Sequence, residues 1–256
     1  MNILCIGDVV GEAGLDFLCG RLPGLKREYA ADLTIVNGEN ADKSGVGTSR
    51  AAAEALLAAA DVVTGGNHSL RRAPPDLFLE HENLLMPANF PFTPDEAGCC
   101  LVDTGRLGVV RVISLCGTAW MEPIDNPFVR ADALLGVGDA RFTVVDFHAE
   151  STAEKQALAW HLDGRAGAVF GTHTHVQTAD EQILPGGTGY ISDIGMTGPR
   201  RSVIGIDPAL AVKKQRSHQP VQFKVADGPC QLCGALFVLD DATGLCREVR
   251  RVRVAE

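Results

Sequence analysis

The chain has 256 residues, of which 46% are hydrophobic and 21% charged, with a formal net charge of −9. This is the balance of an ordinary globular protein, long enough to bury a sizeable core in one large α/β domain or two small ones. Eight scattered cysteines fall short of a disulfide scaffold, and basic pairs such as Arg71-Arg72 and Arg200-Arg201 are too short for a duplex-binding patch.

In chain order, Asn2 to Ile6 reads as a buried strand that ends at Gly7-Asp8, and Leu15 to Tyr29 has helical spacing. Asp32 to Val36 is the next strand and runs into Asn37-Gly-Glu-Asn40. Ser49 to Ala60 is helical with Ser49 as the expected N-cap, and Asp61 to Thr64 is a strand that ends in Gly65-Gly-Asn-His68. Leu101 to Gly117 holds two β-rich runs that suit a hairpin at a sheet edge. Arg141 to Phe147 is a strand that ends in His148. Ser151 to Leu162 is a helix with Ser151 as cap and Glu154 at the capping-box position. Ala166 to Phe170 is a strand that ends at Gly171. Val221 to Val254 breaks into short β-like runs, read as part of a second sheet packed on the first. No composition break marks a linker, so residues 1–256 are expected to form one domain.

Alternating strands and helices predict an α/β fold with parallel pairs. Asp8, Glu39, Asn67, His68, His148, His173 and His175 all follow the C-terminal ends of strands, the edge where open α/β sheets bind ligands. The tightest local signal is His173-Thr-His175, since two histidines at i, i+2 on an extended segment point to one side. Each residue has a plainer reading. The His pair suits a polar loop, His148 a hydrogen-bonded strand end, Asp8 a helix cap near Gly11, Glu39 a surface carboxylate and Asn67 a left-handed turn. Together these readings require many metal-capable groups to end successive strands by chance. Carboxylates, imidazoles and a carboxamide form a mixed nitrogen and oxygen donor set that suits Mn, Fe or Zn better than Mg or Ca. Seven candidates exceed the shell of one ion and suggest two, about 3.5–4 Å apart and sharing a carboxylate.

The series Gly7-Asp8, Asn37-Gly-Glu-Asn40, Gly66-Asn-His68, Asp146-Phe-His148 and Gly171-Thr-His-Thr-His175 resembles the calcineurin-like metallophosphoesterase superfamily. The usual pattern there is Asp-x-His, Gly-Asp-x-x-Asp, Gly-Asn-His-Asp/Glu, His, and Gly-His-x-His. The chain is more closely similar to the bacterial YmdB-type branch, through Gly7-Asp-Val-Val-Gly11, Asn37-Gly-Glu-Asn40, Gly65-Gly-Asn-His68 and Gly171-Thr-His-Thr-His-Val-Gln-Thr-Ala-Asp180. The likeness extends to Pro87-Ala-Asn-Phe-Pro91 and Ser192-Asp-Ile-Gly-Met-Thr-Gly-Pro199. Val10 stands where the superfamily has the His of Asp-x-His, and Glu39 stands in place of the bridging Asp; the YmdB-type branch shares both departures.

The resemblance implies a layered α/β sandwich of two packed mixed sheets flanked by helices. It implies that Asp8, Glu39, Asn40 and His175 hold one ion and that Glu39, Asn67, His148 and His173 hold the other, with Glu39 bridging. Iron or manganese are the first choices, with zinc and magnesium admissible. His68 would contact the scissile phosphate and protonate the leaving oxygen, while metal-activated hydroxide attacks. The implied activity is hydrolysis of 2′,3′- or 3′,5′-cyclic nucleotides, with phosphatase activity beside it.

Two other classes of function compete. A metal-binding regulatory protein with incidental phosphatase activity would use the same ligands. A metallo-amidohydrolase also places histidines at strand ends, but its His-x-His lies early in an eightfold βα repeat that is absent here. Cys230-Gln-Leu-Cys233 has zinc-knuckle spacing without a second pair, and Gly7-x-x-x-Gly11 is not a dinucleotide or Walker pattern. The loop from Asp42 to Gly47 is a candidate pocket lining, and Asn89, Thr118, Asp180 and Asp193 are candidates to orient ligands. The N-terminus lacks a basic region and cleavage site, and no run of about 20 apolar residues occurs, so a soluble cytoplasmic protein with reduced thiols is expected. Its expected partner is a small phosphoester; a homo-oligomer is compatible with the sequence.

Overall fold

The computed structural model describes residues 1–74, 76–91 and 93–256. The first half contains β1 (Asn2–Ile6), β2 (Asp8–Val9), α1 (Gly11–Glu28), β3 (Leu33–Asn37), α2 (Arg50–Ala59), β4 (Val62–Thr64), the single-turn helices α3 (Leu77–Glu80) and α4 (Asp95–Gly98), β5 (Cys99–Asp103) and β6 (Val109–Cys116). The second half contains α5 (Pro127–Leu134), β7 (Phe142–His148), α6 (Thr152–His161), β8 (Ala168–Thr172), β9 (Gln182–Ile183), β10 (Gly189–Ile191), β11 (Met196–Pro199), α7 (Pro208–Ser217), β12 (Cys230–Leu239) and β13 (Cys246–Ala255).

Two mixed sheets result. One has the order β2-β11-β12-β1-β3-β4, with β13 added on β12; the other has the order β5-β6-β7-β8-β10-β9. In the first, β1, β3 and β4 run parallel while β12 runs antiparallel to β1. In the second, β6, β7, β8 and β10 run parallel, with antiparallel β5 and β9 at the edges.

Strand alternation places the core and the polar site together. Ile3, Cys5, Leu33, Ile35 and Val62 of the first sheet meet Val112, Phe142, Val144, Ala168 and Phe170 of the second. Residues of opposite parity pack on helices: Leu4, Ile6 and Val36 against α1 and α2, and Ile113, Val145, Phe147 and Val169 against α5 and α6. At the C-terminal strand ends the same inward parity delivers polar residues: Asn37, Thr64, Asp146, His148 and Thr172, all buried.

Several local expectations change. α1 begins four residues earlier than its apolar spacing suggests, directly after β2, so Asp8 is a strand residue and Val10 takes the cap position. Ser49 occupies the N-cap of α2 without a side-chain cap bond. Ser151 does cap α6, but Glu154 accepts from Thr118 and Ala119 across the loop after β6 instead of closing a capping box. The C-terminal runs form one long hairpin, β12 and β13, that joins the first sheet; the second sheet is built from the middle of the chain. The hairpin fits there because Ala235 and Phe237 of β12 share the inter-sheet core with β1.

Candidate metal centre

The centre is built on His148, which is fully buried at the end of β7. Its Nε2 lies 3.2 Å from Oε2 of Glu39, 3.0 Å from Oδ1 of Asn67 and 3.0 Å from Nδ1 of His173. These lone-pair atoms converge from four different loops and strand ends. Glu39, His148 and His173 form a group whose ligand atoms share one small volume. The backbone leaves room for little else, because a Cβ on Gly66 would lie 2.2 Å from Oε2 of Glu39 and 2.5 Å from Nε2 of His148.

Glu39 faces two ways. Oε2 accepts from the His68 backbone N–H at 3.0 Å, while Oε1 accepts from Nδ2 of Asn40 at 2.7 Å and lies 3.2 Å from Nδ1 of His68. On the far side, Nε2 of His175 is 3.4 Å from Asn40 and 3.7 Å from Oδ1 of Asp8. That Asp8 oxygen is buried without a hydrogen-bond partner, while Oδ2 accepts from the His173 N–H at 3.1 Å. An orphaned carboxylate oxygen inside the protein is costly, and a cation would satisfy it. The donor set therefore fits metal ions on chemical grounds.

Each imidazole is held by a partner on its other nitrogen. Nδ1 of His148 meets Oγ1 of Thr172 at 2.9 Å; since that hydroxyl donates to Asp146 at 2.7 Å, the imidazole is the donor of the pair. Nε2 of His173 lies 3.0 Å from Glu150, and Nδ1 of His175 donates to the Ile204 carbonyl at 2.8 Å. All three lone pairs are thereby aimed into the centre, the arrangement that orients metal-binding histidines. The sequence reading missed Glu150, Thr172, Ile204, Asn37 and Asp146. Asp146 and Thr172 were findable, because they share the inward parity of His148 or of the apolar residues of β8. Asp146 anchors the floor by accepting from Thr64, Asn37 and Thr172, and burial pushes its carboxyl up to about 6.

The His173-Thr-His175 segment is not extended. Both histidines have positive φ, 97° and 64°, so the side chains diverge to opposite flanks of the centre. Such backbone is strained for residues with a Cβ and persists only when its surroundings impose it. Here Asp193 imposes it: Oδ2 accepts from the Thr174 N–H at 3.1 Å and its hydroxyl at 2.8 Å, and also from the buried Nζ of Lys155 at 2.8 Å.

Charge and burial compete in this cluster. Burial lowers the affinity of His148 for its second proton, but the carboxylates of Glu39, Asp8 and Asp146 outweigh it and raise its pKa to about 9. Burial and the neighbouring His148 hold His173 down at about 3. Burial raises Asp8 against the pull of His175 and His148, whereas for Glu39 the attraction of His148 and His68 overcomes burial and holds the carboxyl well below its usual range.

Other candidates lie outside the ligand cluster. Asn89 ties the end of β6 to Asp125, and Thr118 bonds Glu154. Asp180 accepts from Ser192 beneath the His turn, and Asp42 closes its own loop through Ser44. Cys230 and Cys233 sit three apart on a strand and therefore face opposite sides, which rules out joint ligation of one zinc, and the two form no disulfide.

The YmdB-like protein family model matches residues 4–252, and the chain belongs to that family. It is 42% identical to the 2′,3′-cyclic-nucleotide 2′-phosphodiesterase of Bacillus subtilis (strain 168), across 99% of this chain and 97% of the relative. Two solved structures superpose with a TM-score of 0.91. One is a Thermus thermophilus protein described as hypothetical, 36% identical over 100% of both chains. The other is described as a novel phosphatase from Mycoplasma pneumoniae, 34% identical over 100% of this chain and 93% of that one. No helix among the described residues is long and apolar enough to cross a membrane.

Proposed function

We propose that this chain is a metal-dependent phosphodiesterase with a two-ion centre, acting on nucleoside 2′,3′-cyclic phosphates, with 3′,5′-cyclic nucleotides and phosphomonoesters as further substrates. The observation that carries the reading is the convergence of Glu39, Asn67 and His173 within 3.0–3.2 Å of Nε2 of His148. Those four residues would hold one ion, and Asp8, Glu39, Asn40 and His175 the other, with Glu39 offering one oxygen to each. Mixed nitrogen and oxygen donors favour iron or manganese. Two bound cations supply an acidified water and neutralise charge on the phosphoryl oxygens.

The chain's own groups supply the rest. Asn40 lies between the ligands and His68, with one end of its amide 2.7 Å from Glu39 and the other 2.9 Å from Nδ1 of His68. Nδ2 donates to Glu39, and Oδ1 accepts from Nδ1–H of His68 while keeping a second lone pair for an ion. As general acid His68 would act in its imidazolium form, holding one proton on Nδ1 toward Asn40 and passing the other from Nε2 to the departing alkoxide, which leaves a neutral imidazole. The side chain of His68 is 24% exposed, unlike buried His148, and so remains open to substrate.

The test is elemental analysis of the purified protein paired with a panel of cyclic nucleotides in the presence of Mn²⁺. The expected outcome is two metals per chain and turnover of 2′,3′-cyclic substrates. One metal per chain removes the bridging role of Glu39. Metal-loaded protein that hydrolyses no phosphoester leaves the regulatory, metal-binding reading in its place.

A further inference from the structure

Beside the metal centre, on the outer side of His175, lies a separate polar cavity of about 250 Å³. His175 and Ile204 form its wall toward the metals, and Arg200, Arg251 and Arg253 line it with Gln177. Arg251 and Arg253 are two apart on β13 and so project from one face of the strand. Gln177 closes the floor by donating to the carbonyls of Gly234 and Val252.

The charge in this cavity is unbalanced. Arg251 is paired with Glu181 at 2.8 Å, but Arg253 donates only to the neutral Gln231, and no ion pair is found for Arg200 or Arg253 among the described residues. Three guanidinium groups thus face one carboxylate in a chain whose net charge is −9. Like charges held together without counter-charges cost stability, which an anionic ligand would recover. Guanidinium forks match the oxygens of a phosphate in a bidentate way, and the volume suits a phosphoryl group with part of a sugar better than a whole drug-sized ligand.

We infer that this cavity binds a second phosphate of the substrate, one ring's width from the phosphate that reacts. The inference rests on the phosphodiesterase reading above and narrows its substrate class. The preferred substrate is a 2′,3′-cyclic phosphate that also carries a phosphate on its 5′ side, as at the 3′ end of a cleaved single strand, instead of the free cyclic mononucleoside. Single-strand ends remain compatible with the lack of a duplex-binding patch.

The test compares adenosine 2′,3′-cyclic phosphate with its 5′-phosphorylated form on the metal-loaded protein, for the unmodified chain, Arg200→Gln, Arg253→Gln and the control Arg247→Gln. Arg247 sits on β13 beside Asp240, away from the cavity. The ratio of kcat/KM between the two substrates is the readout. It should favour the 5′-phosphorylated form by about tenfold, the size of one charge-assisted contact. It should fall with added salt, drop toward one in the two cavity variants and persist in Arg247→Gln. A ratio near one in the unmodified chain, or an equal ratio in all four proteins, overturns the inference, as does free inorganic phosphate binding without any substrate preference. If neither compound is turned over, the phosphodiesterase reading fails by itself. The cavity is then read from dissociation constants of the same two compounds, measured by calorimetry on the same variants, with the same ratio deciding.

Discussion

The raised pKa of His148 predicts that, at the proposed centre, a proton occupies the place of a cation in the metal-free protein. With its pKa raised to about 9, His148 carries a proton on Nε2 at neutral pH, shared among Glu39, Asn67 and His173. A metal must displace it. At pH 7, two units below that pKa, His148 is about 99% protonated, so one proton per chain is released on loading; at pH 10 the release falls to about 0.1. His173 contributes nothing, because its pKa near 3 leaves it unprotonated throughout. Apparent metal affinity should rise about tenfold per pH unit up to pH 9 and level off beyond, a gain of about 3 kcal/mol from pH 7. The metal-free protein should show the opposite trend. A histidine whose folded pKa is raised contributes stability that is full below its unfolded value of about 6.5 and lost as pH rises through 9, here about 3 kcal/mol, shared with its partner Glu39 and counted once. Calorimetric titration with Mn²⁺ in buffers of different ionisation enthalpy counts the protons, and denaturant melts in chelator follow the stability. Release of well under half a proton at pH 7, or metal-free stability that climbs between pH 6.5 and 9, would refute the proton-for-cation account.

Three substitutions probe other parts of the centre. Gly66→Ala drives a methyl group against Glu39 and His148, so metal content should fall below one half of the unmodified level while the circular dichroism spectrum is kept; full occupancy would contradict the tight cradle. Lys155→Met leaves Asp193 as an unpaired buried charge, and urea unfolding should show a loss of about 3–5 kcal/mol, partly recovered in the double variant with Asp193→Asn. His68→Ala should retain the metal content of the unmodified protein and lower kcat by about 10²–10⁴-fold, as removal of a proton donor does. Loss of metal in His68→Ala would place the residue among the ligands.

The candidate ligand positions are legible in the sequence because strand periodicity and ligand chemistry coincide. Apolar runs end at Ile6, Val36, Val63, Phe147 and Phe170, and the chemistry-bearing residues follow within a few positions. The layered α/β fold is legible for the same reason, through strands alternating with helices. What long-range packing decides was hidden. The divergence of His173 and His175 depends on positive φ values imposed by Asp193 and Lys155, and nothing in Gly171-Thr-His-Thr-His175 announces them. Ile204 contributes a backbone carbonyl, a group every residue has, and Glu150 is an exposed carboxylate like many others. The C-terminal hairpin was misplaced because short β-like runs carry no sign of which sheet they join; contact of Ala235 and Phe237 with the inter-sheet core settles it.

Core and site are also specified by one register. Phe142 and Val144 enter the inter-sheet core, and the same alternation sends Asp146 and His148 into the centre while Val145 and Phe147 face α5 and α6. A slip of one residue in β7 would turn His148 and Asp146 toward the helices and bring Phe147 to the ligand position. It would bury two titratable groups in an apolar layer and strip Thr64, Asn37 and Thr172 of their shared acceptor. The register that keeps the hydrophobic core intact is therefore the one that aims Nε2 of His148 at Glu39, Asn67 and His173.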